Sequence, residues 1–401
     1  MLVITSACAA FLLGQAFLLG QALIDGQPGP DGLAFYLPPS PLVPGAAGQV
    51  IWSRQVTGPA ALPGAAENLL ILYHSSTLAG QDIAVSGTIS IPVGRPPAGG
   101  WPVLSWTHGT TGAADICAPS RDAPGHPSHI YNQLADATLS QWVKRGYVVL
   151  KTDYEGLGTP GSHPYLVGAS EARSTVDILL AARRLLPAIG RSWAVMGHSQ
   201  GGHAALFTAS LAPAWAPDLD LIGAVAIAPA GGAHDLIAGL RDARTPARTP
   251  APTLGFLALV LIGAAAADHT VRVDRLLTPA ALRLLAKAEI VGIDDLLAPG
   301  SPAPLVPAGV FRPDADLGPL LKVLAANDPA MLRPRVPVLI VQGHDDPIVA
   351  RRSTDHIARS LRASGARLAY RRYPGRGHYD LIEAAHTENA RWIDARLAET
   401  T

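Results

Sequence analysis

Trp193-Ala194-Val195-Met196-Gly197-His198-Ser199-Gln200-Gly201-Gly202-His203 runs from a short apolar stretch with strand character, through a Gly-x-Ser-x-Gly string, straight into a helical pattern over Gly202–Leu211. The string alone is weak, because 40 glycines in 401 residues produce one by chance in roughly a fifth of such chains. Its placement gives it meaning. A sharp strand-to-helix turn closes only if the residues two before and two after the serine lack bulk, and Gly197 and Gly201 satisfy that. Such a turn lifts Ser199 Oγ above the sheet edge and aims the first N–H groups of the following helix at whatever binds there. Ser199 is the candidate nucleophile.

Outward from this turn the chain alternates. Runs with strand character lie at Val50–Val56, Leu69–Ser76, Ile83–Ile91, Pro102–Trp106, Tyr147–Thr152, Trp193–Met196, Leu221–Ile227, Val336–Val341 and Leu368–Arg372. Helical patterns fall at Asn132–Arg145, Ser170–Leu186, Gly202–Leu211, Arg351–Arg362 and Leu381–Leu397. Short apolar β-runs alternating with helices predict an α/β protein with a mostly parallel sheet covered by helices on both faces. Ahead of it, the Pro- and Gly-rich stretch Asp25–Gly48 suits neither a helix nor a central strand and reads as a surface arm. Ala230–Ala330 breaks the alternation with helix-like apolar runs and many prolines. It reads as a helical cap inserted between two strands, expected at the carboxyl edge of the sheet. Within it Leu254–Ala267 is an uninterrupted small or apolar run, too short to span a bilayer and suited to a buried or interface-facing helix, either in the cap's own core or lining an apolar pocket. The expected organisation is 1–22 signal peptide, 23–229 first part of the core, 230–330 cap, and 331–401 second part of the core.

A serine hydroxyl needs a base, and a histidine base needs a carboxylate to orient it; after a strand-to-helix elbow the chain order is serine, acid, histidine. The strand Val336–Val341 ends in Gln342-Gly343-His344-Asp345-Asp346-Pro347, which puts carboxylates at the carboxyl end of a strand, on the edge where Ser199 sits. One helix and one strand later comes Gly375-Arg376-Gly377-His378-Tyr379, again in a loop after a strand. His378 is the candidate base. Asp346 precedes Pro347, where extended backbone lets its side chain turn toward His378, so it is preferred to Asp345 as the acid. Of the other histidines, His198 and His203 flank the serine but are placed away from Oγ by the elbow and its helix, and His344 falls in the acid loop. Asp153 and Glu155 do not read as the carboxylate pair of a glycosidase; one of them reads as a cap or brace of the loop.

Composition removes other classes. Apolar residues make up 48% of the chain and 31 basic residues balance 31 acidic ones without clustering, so neither a disordered chain nor a nucleic-acid partner is expected. Two cysteines, Cys8 and Cys117, give no disulfide framework, and no Cys/His cluster has zinc-site spacing; no metal and no cofactor is expected. The first 24 residues carry no charged side chain and end in Gly20-Gln21-Ala22, a small-residue cleavage pattern. They read as a secretory signal, although no Lys or Arg precedes Arg54; a retained membrane anchor is the alternative.

The elbow, the acid loop and the Gly-x-Gly-His loop resemble the α/β-hydrolase superfamily. Further stretches resemble the secretory lipase family more narrowly: Phe35-Tyr36-Leu37-Pro38-Pro39, Trp106-Thr107-His108-Gly109-Thr110, Asp153-Tyr154-Glu155-Gly156-Leu157-Gly158, His163-Pro164-Tyr165-Leu166 and Gly197-His198-Ser199-Gln200-Gly201-Gly202-His203. The resemblance implies the α/β-hydrolase fold with a helical cap. Mechanism and resemblance together place the oxyanion hole at the N–H groups of Thr110 and Gln200, with Thr111 as the alternative to Thr110. They imply a secreted serine carboxyl-ester hydrolase, a lipase or broad esterase, taking an ester or lipid substrate and compatible with work at a lipid–water interface. An acyltransferase or peptidase on the same triad, or a binding protein on a hydrolase fold, stand as alternatives.

Overall fold

In the computed structural model, residues 26–242, 251–298 and 309–399 are described. The expected signal segment 1–22 lies outside them. Among the described residues nine strands form one sheet: β1 (Val50–Gln55), β2 (Glu67–Ser76), β3 (Asp82–Ile91), β4 (Trp101–Thr107), β5 (Val148–Thr152), β6 (Ile189–His198), β7 (Asp220–Ile227), β8 (Val338–Gly343) and β9 (Leu368–Tyr373). Each contains a stretch read as a strand from the sequence. Their spatial order is β1-β2-β3-β5-β4-β6-β7-β8-β9. From β5 to β9 every pairing is parallel, while β1, β2 and β3 form an antiparallel extension. Inside the parallel part, β5 and β8 are buried throughout, Val148–Thr152 and Val338–Gly343, which is why their apolar residues run together and do not alternate, while β9 at the edge is half-buried to exposed.

Helices cover both faces. The described helices are α1 (His129–Lys144), α2 (Gly168–Leu185), α3 (Gln200–Trp215), α4 (Ala233–Asp242), α5 (Ala251–Ala267), α6 (Val273–Leu276), α7 (Pro279–Ala288), α8 (Ile293–Leu297), α9 (Gly318–Ala326), α10 (Arg351–Ala363), α11 (Leu381–Ala384) and α12 (His386–Ala398). α2, α3 and α10 close one face of the sheet through Val176, Leu179, Leu206, Ala209, Ile357 and Leu361. α1, α11 and α12 close the other through Leu139, Trp142, Leu381 and Ile393. The single helix expected over Leu381–Leu397 is two, interrupted at Ala385, whose residue is fully buried against this second face. The arm ahead of β1 is tied down by Phe35 and Tyr36, buried against Leu70, Leu72 and Ala84; burying a Phe side chain is worth about 1.5–3 kcal/mol, enough to hold an otherwise irregular segment.

Helices α4 to α9 lie between β7 and β8 and have a hydrophobic cluster of their own. α5 is its central rod. Leu257, Leu259, Leu261 and Ile262 point to different sides and are all buried, as a helix apolar all round requires. Both stems of the insertion stand beside Ser199. On the way out, the Ala230 N–H donates to the Ser199 carbonyl at 3.0 Å; on the way back, the Asn327 carbonyl accepts from His203 Nε2 at 2.9 Å. Residues 328–337 then run down the sheet face to the amino edge, where β8 begins, in place of the usual crossover helix. The carboxyl-edge position expected for the insertion therefore holds at residues 230 and 327, while the chain entering β8 does so from the opposite edge.

Candidate active site

β6 delivers Ser199 at its end, and α3 starts at the next residue. The serine sits at φ 58° and ψ −116°, a conformation that L-residues rarely adopt and that survives only where the surroundings dictate it. Tyr154, Leu166 and Ala228 also have positive φ, and all of them gather at the same end of the sheet. The flanking glycines are obligatory. A Cβ at Gly197 would overlap Thr107 Oγ1 and the Gly201 carbonyl, and one at Gly201 would overlap the Thr107 carbonyl. Thr107 Oγ1 meanwhile donates to the Gly201 carbonyl at 2.8 Å, locking the turn onto the neighbouring strand.

The acid and histidine loops follow β8 and β9 at the same edge. Asp346 Oδ2 lies 2.8 Å from His378 Nδ1. Asp346 Oδ1 accepts the N–H groups of Ile348 and Val349, each at 2.8 Å, and Gln342 Nε2 donates to Oδ2 at 3.2 Å. Burial pushes the Asp346 carboxyl up, but the hydrogen bond and charge of His378 and the two backbone donors outweigh it, so its pKa falls below the ordinary carboxylate value. A carboxylate at Nδ1 fixes the tautomer: in the neutral ring the proton sits on Nδ1 and Nε2 is the acceptor. Asp345 points away: it is exposed and pairs only with the adjacent His344 at 3.3 Å. Of the two carboxylates, Asp346 is the one brought to His378.

On the other side of Ser199 the β4 loop carries Thr110, whose Oγ1 lies 2.8 Å from the Tyr165 hydroxyl. Tyr165 is held in turn by α5, where Gly263 packs so closely that a Cβ would overlap the Tyr165 backbone. The insertion also reaches the loop directly: Gly112 and Gly292 form an antiparallel bridge, and the Ile293 N–H donates to the Thr111 carbonyl at 2.9 Å. Gln200, first residue of α3, is 1% exposed. Its Nε2 donates to Glu171 Oε1 at 2.9 Å and to His163 Nε2 at 3.0 Å, and His163 Nδ1 donates to the Glu155 carbonyl at 2.8 Å. Burial lowers the His163 pKa, which suits this neutral, single-proton arrangement. Glu171 also accepts from His203 Nδ1 at 2.8 Å.

Sequence reasoning set His198 and His203 aside. The structure places both in the supporting frame, and the only signal for either was its position inside the elbow motif. Asp153 is fully buried and takes hydrogen bonds from Ser86 Oγ, the Ser120 N–H and Ser120 Oγ, which makes it the loop brace that was expected. Among the described residues no group of three or more His, Cys, Asp or Glu could hold a metal ion.

Residues 124–245 match the family model described as secretory lipase. Lipase A of Moesziomyces aphidis is 28% identical over 203 residues, which is 49% of this chain and 42% of that protein. The chain thus matches less than half of that relative's length. A protein of Mycobacterium tuberculosis described as a probable inactive lipase is 25% identical over 384 residues, 91% of this chain and 81% of that one. Among solved structures, Candida antarctica lipase A superposes with a TM-score of 0.70 at 22% identity, covering 83% of this chain and 78% of the other. The esterase LipA of Xanthomonas oryzae, described as degrading rice cell walls, gives 0.65 at 22% identity, with 86% and 95% covered. These likenesses show the α/β-hydrolase fold, and they bear out the resemblance to secretory lipases read from the motifs.

Proposed function

We propose that this chain is an exported serine carboxyl-ester hydrolase, a lipase or broad esterase, with Ser199 as nucleophile, His378 as base and Asp346 as its orienting acid. The observation that carries the reading is a serine forced to φ 58° at the edge where a His378–Asp346 pair closes at 2.8 Å. Bare His378 Nε2 takes the Ser199 proton as Oγ attacks the ester carbonyl carbon. The carbonyl electrons move onto oxygen, where the N–H groups of Thr110 and Gln200 receive the charge. The tetrahedral species collapses, the C–O bond to the alcohol breaks, and the His378 proton leaves with the alcohol. Water, deprotonated by the same Nε2, then attacks the acyl carbon, the bond from that carbon to Ser199 Oγ breaks, the His378 proton returns to Oγ and the acid leaves. Asp346 holds the imidazole in the required tautomer and stabilises the imidazolium. Being ionised below the ordinary carboxylate range, it keeps that charge throughout the pH interval in which the histidine must be neutral.

The helices inserted between β7 and β8 serve as a cap over this edge. Export is supported by the uncharged N-terminal stretch and by the secretory lipase match; no helix of the described residues is long and apolar enough to cross a membrane. Sequencing the N-terminus of the protein recovered from culture medium tests export and cleavage after Ala22.

The deciding experiment measures hydrolysis of an ester series from acetate to long-chain triacylglycerol, with Ser199→Ala as the control. Turnover by the wild type, absent from a folded Ser199→Ala, supports the reading, and the chain-length optimum separates lipase from esterase. The likeness to a probable inactive lipase over most of the chain gives the second reading, a binding protein on a hydrolase fold. A folded wild type that turns over no ester and does not react with a fluorophosphonate at Ser199 would establish it.

A further inference from the structure

Three hydrogen bonds run in one direction between the loops on either side of Ser199. The Gly109 N–H donates to Tyr131 Oη at 2.6 Å, Tyr131 Oη lies 3.3 Å from His198 Nδ1, and His198 Nε2 lies 3.0 Å from the His378 carbonyl oxygen. The two ends fix the direction. A backbone N–H only donates and a carbonyl only accepts, so the His198 proton sits on Nε2, the phenol oxygen accepts from Gly109, and the phenol proton goes to bare Nδ1. His198 is neutral in this arrangement, and burial followed by the neighbouring His378 lowers its pKa well below the ordinary histidine value. Packing agrees with the hydrogen bonds. The His198 ring centroid is 4.4 Å from that of His378, and Tyr379 closes the group at 5.2 Å from His378 and 6.1 Å from His198 and from Tyr131. Even the glycine is required, since a Cβ on Gly109 would stand 2.6 Å from Tyr131 Oη and 3.1 Å from His198 Nδ1.

We propose that Tyr131 and His198 are positioning residues that tie the His378 loop to the Thr110 loop, fixing the distance between the base and one oxyanion donor. Neither touches the reacting atoms. His198 grips the backbone of His378 and leaves its imidazole free, and Tyr131 grips the N–H one residue before Thr110. The inference rests on the hydrolase reading above, and it explains why a histidine precedes the nucleophile: its ring spans the gap from the first turn of α1 to the loop after β9. Displacing a catalytic group by about 1 Å costs on the order of 100-fold in rate, so a tether between two loops on separate strands acts on kcat and not on substrate affinity.

Tyr131→Phe keeps the ring and deletes the relay. Its kcat on a short-chain p-nitrophenyl ester is expected to fall about 10- to 100-fold, with KM within about threefold and little change in Tm. His198→Gln, whose amide can still donate to the His378 carbonyl, should retain more kcat than His198→Leu, and adding Tyr131→Phe to His198→Leu should cost nothing further, because the two act as one chain. Histidine side-chain 15N NMR reads the relay without substrate: in the wild type His198 should be neutral with its proton on Nε2, and Tyr131→Phe should shift its Nδ1 resonance. A proton on Nδ1, a Tyr131→Phe variant at wild-type kcat, or losses that add and track Tm would each overturn the proposal. A wild type that shows the Nε2 proton and the Nδ1 shift yet hydrolyses no ester would overturn the hydrolase reading and leave the loop tether standing.

Discussion

Asp345 and Asp346 are neighbours with the same side chain, and the fold gives them opposite surroundings. Asp346 spends its lone pairs on His378, two backbone N–H groups and Gln342; Asp345 faces solvent. Asp346→Asn is therefore expected to cost kcat on the order of 10⁴, because the amide presents a donor to Nδ1 and favours the wrong tautomer, and Ser199→Ala at least as much. Asp345→Asn should stay within about twofold, surface substitutions of this kind being nearly neutral. Steady-state kinetics on one ester with all three variants checks the assignment, and a dead Asp345→Asn beside a healthy Asp346→Asn reverses it. Cys117 belongs to the other kind of residue. It is fully buried, and burial pushes its thiol up to about 12, so no thiolate exists near neutrality to attack anything. Iodoacetamide should leave the rate unchanged, and Cys117→Ser should keep activity within a few-fold; inhibition by the reagent would contradict the buried, protonated thiol.

At the scale of elements, the nine strands and the strand-end loops were legible because each is written locally: an apolar run, a glycine turn, a helical period. What escaped is held by residues far apart in the chain. Nothing in the pattern around Tyr131 announces His198, and nothing around Glu171 announces Gln200 and His203, because hydrogen bonds between elements leave no period. The break at Ala385 was hidden for a related reason: a buried small residue continues a helical pattern as well as it ends one. α5 shows a third limit. Its apolar run fitted both a lipid-facing surface and an internal rod, and Leu259 and Leu261, at 0% and 1% exposure, sit in the insertion's own core. Leu259→Ala should accordingly cost about 2–5 kcal/mol of stability. Below the lowered Tm it should depress acetate and long-chain ester hydrolysis in equal proportion; a selective loss on long chains would return this face of α5 to the substrate.

For the whole molecule, stability should carry a signature of one carboxyl far from the chemistry. Asp177 on α2 is buried against Ser75 Oγ, 2.7 Å away, and burial raises its pKa to about 6. The folded state then holds that proton more tightly than the unfolded chain, so its contribution is fully present below about pH 4, declines as pH rises to about 6, and is gone above, a span of at most about 3 kcal/mol. Asp177→Asn lacks the titration. The Tm of the wild type relative to this variant should fall between pH 4 and pH 7, and a constant difference would refute the assignment. A last consequence follows from the bridge between Gly112 and Gly292 and the Ile293–Thr111 hydrogen bond. Through it the insertion and the loop that carries Thr110 are joined backbone to backbone, so their conformations are thermodynamically linked. On the mechanism proposed above, reciprocity then requires that whatever steadies an oxyanion at that loop also holds the insertion down, and that whatever loosens the insertion loosens the oxyanion donor with it.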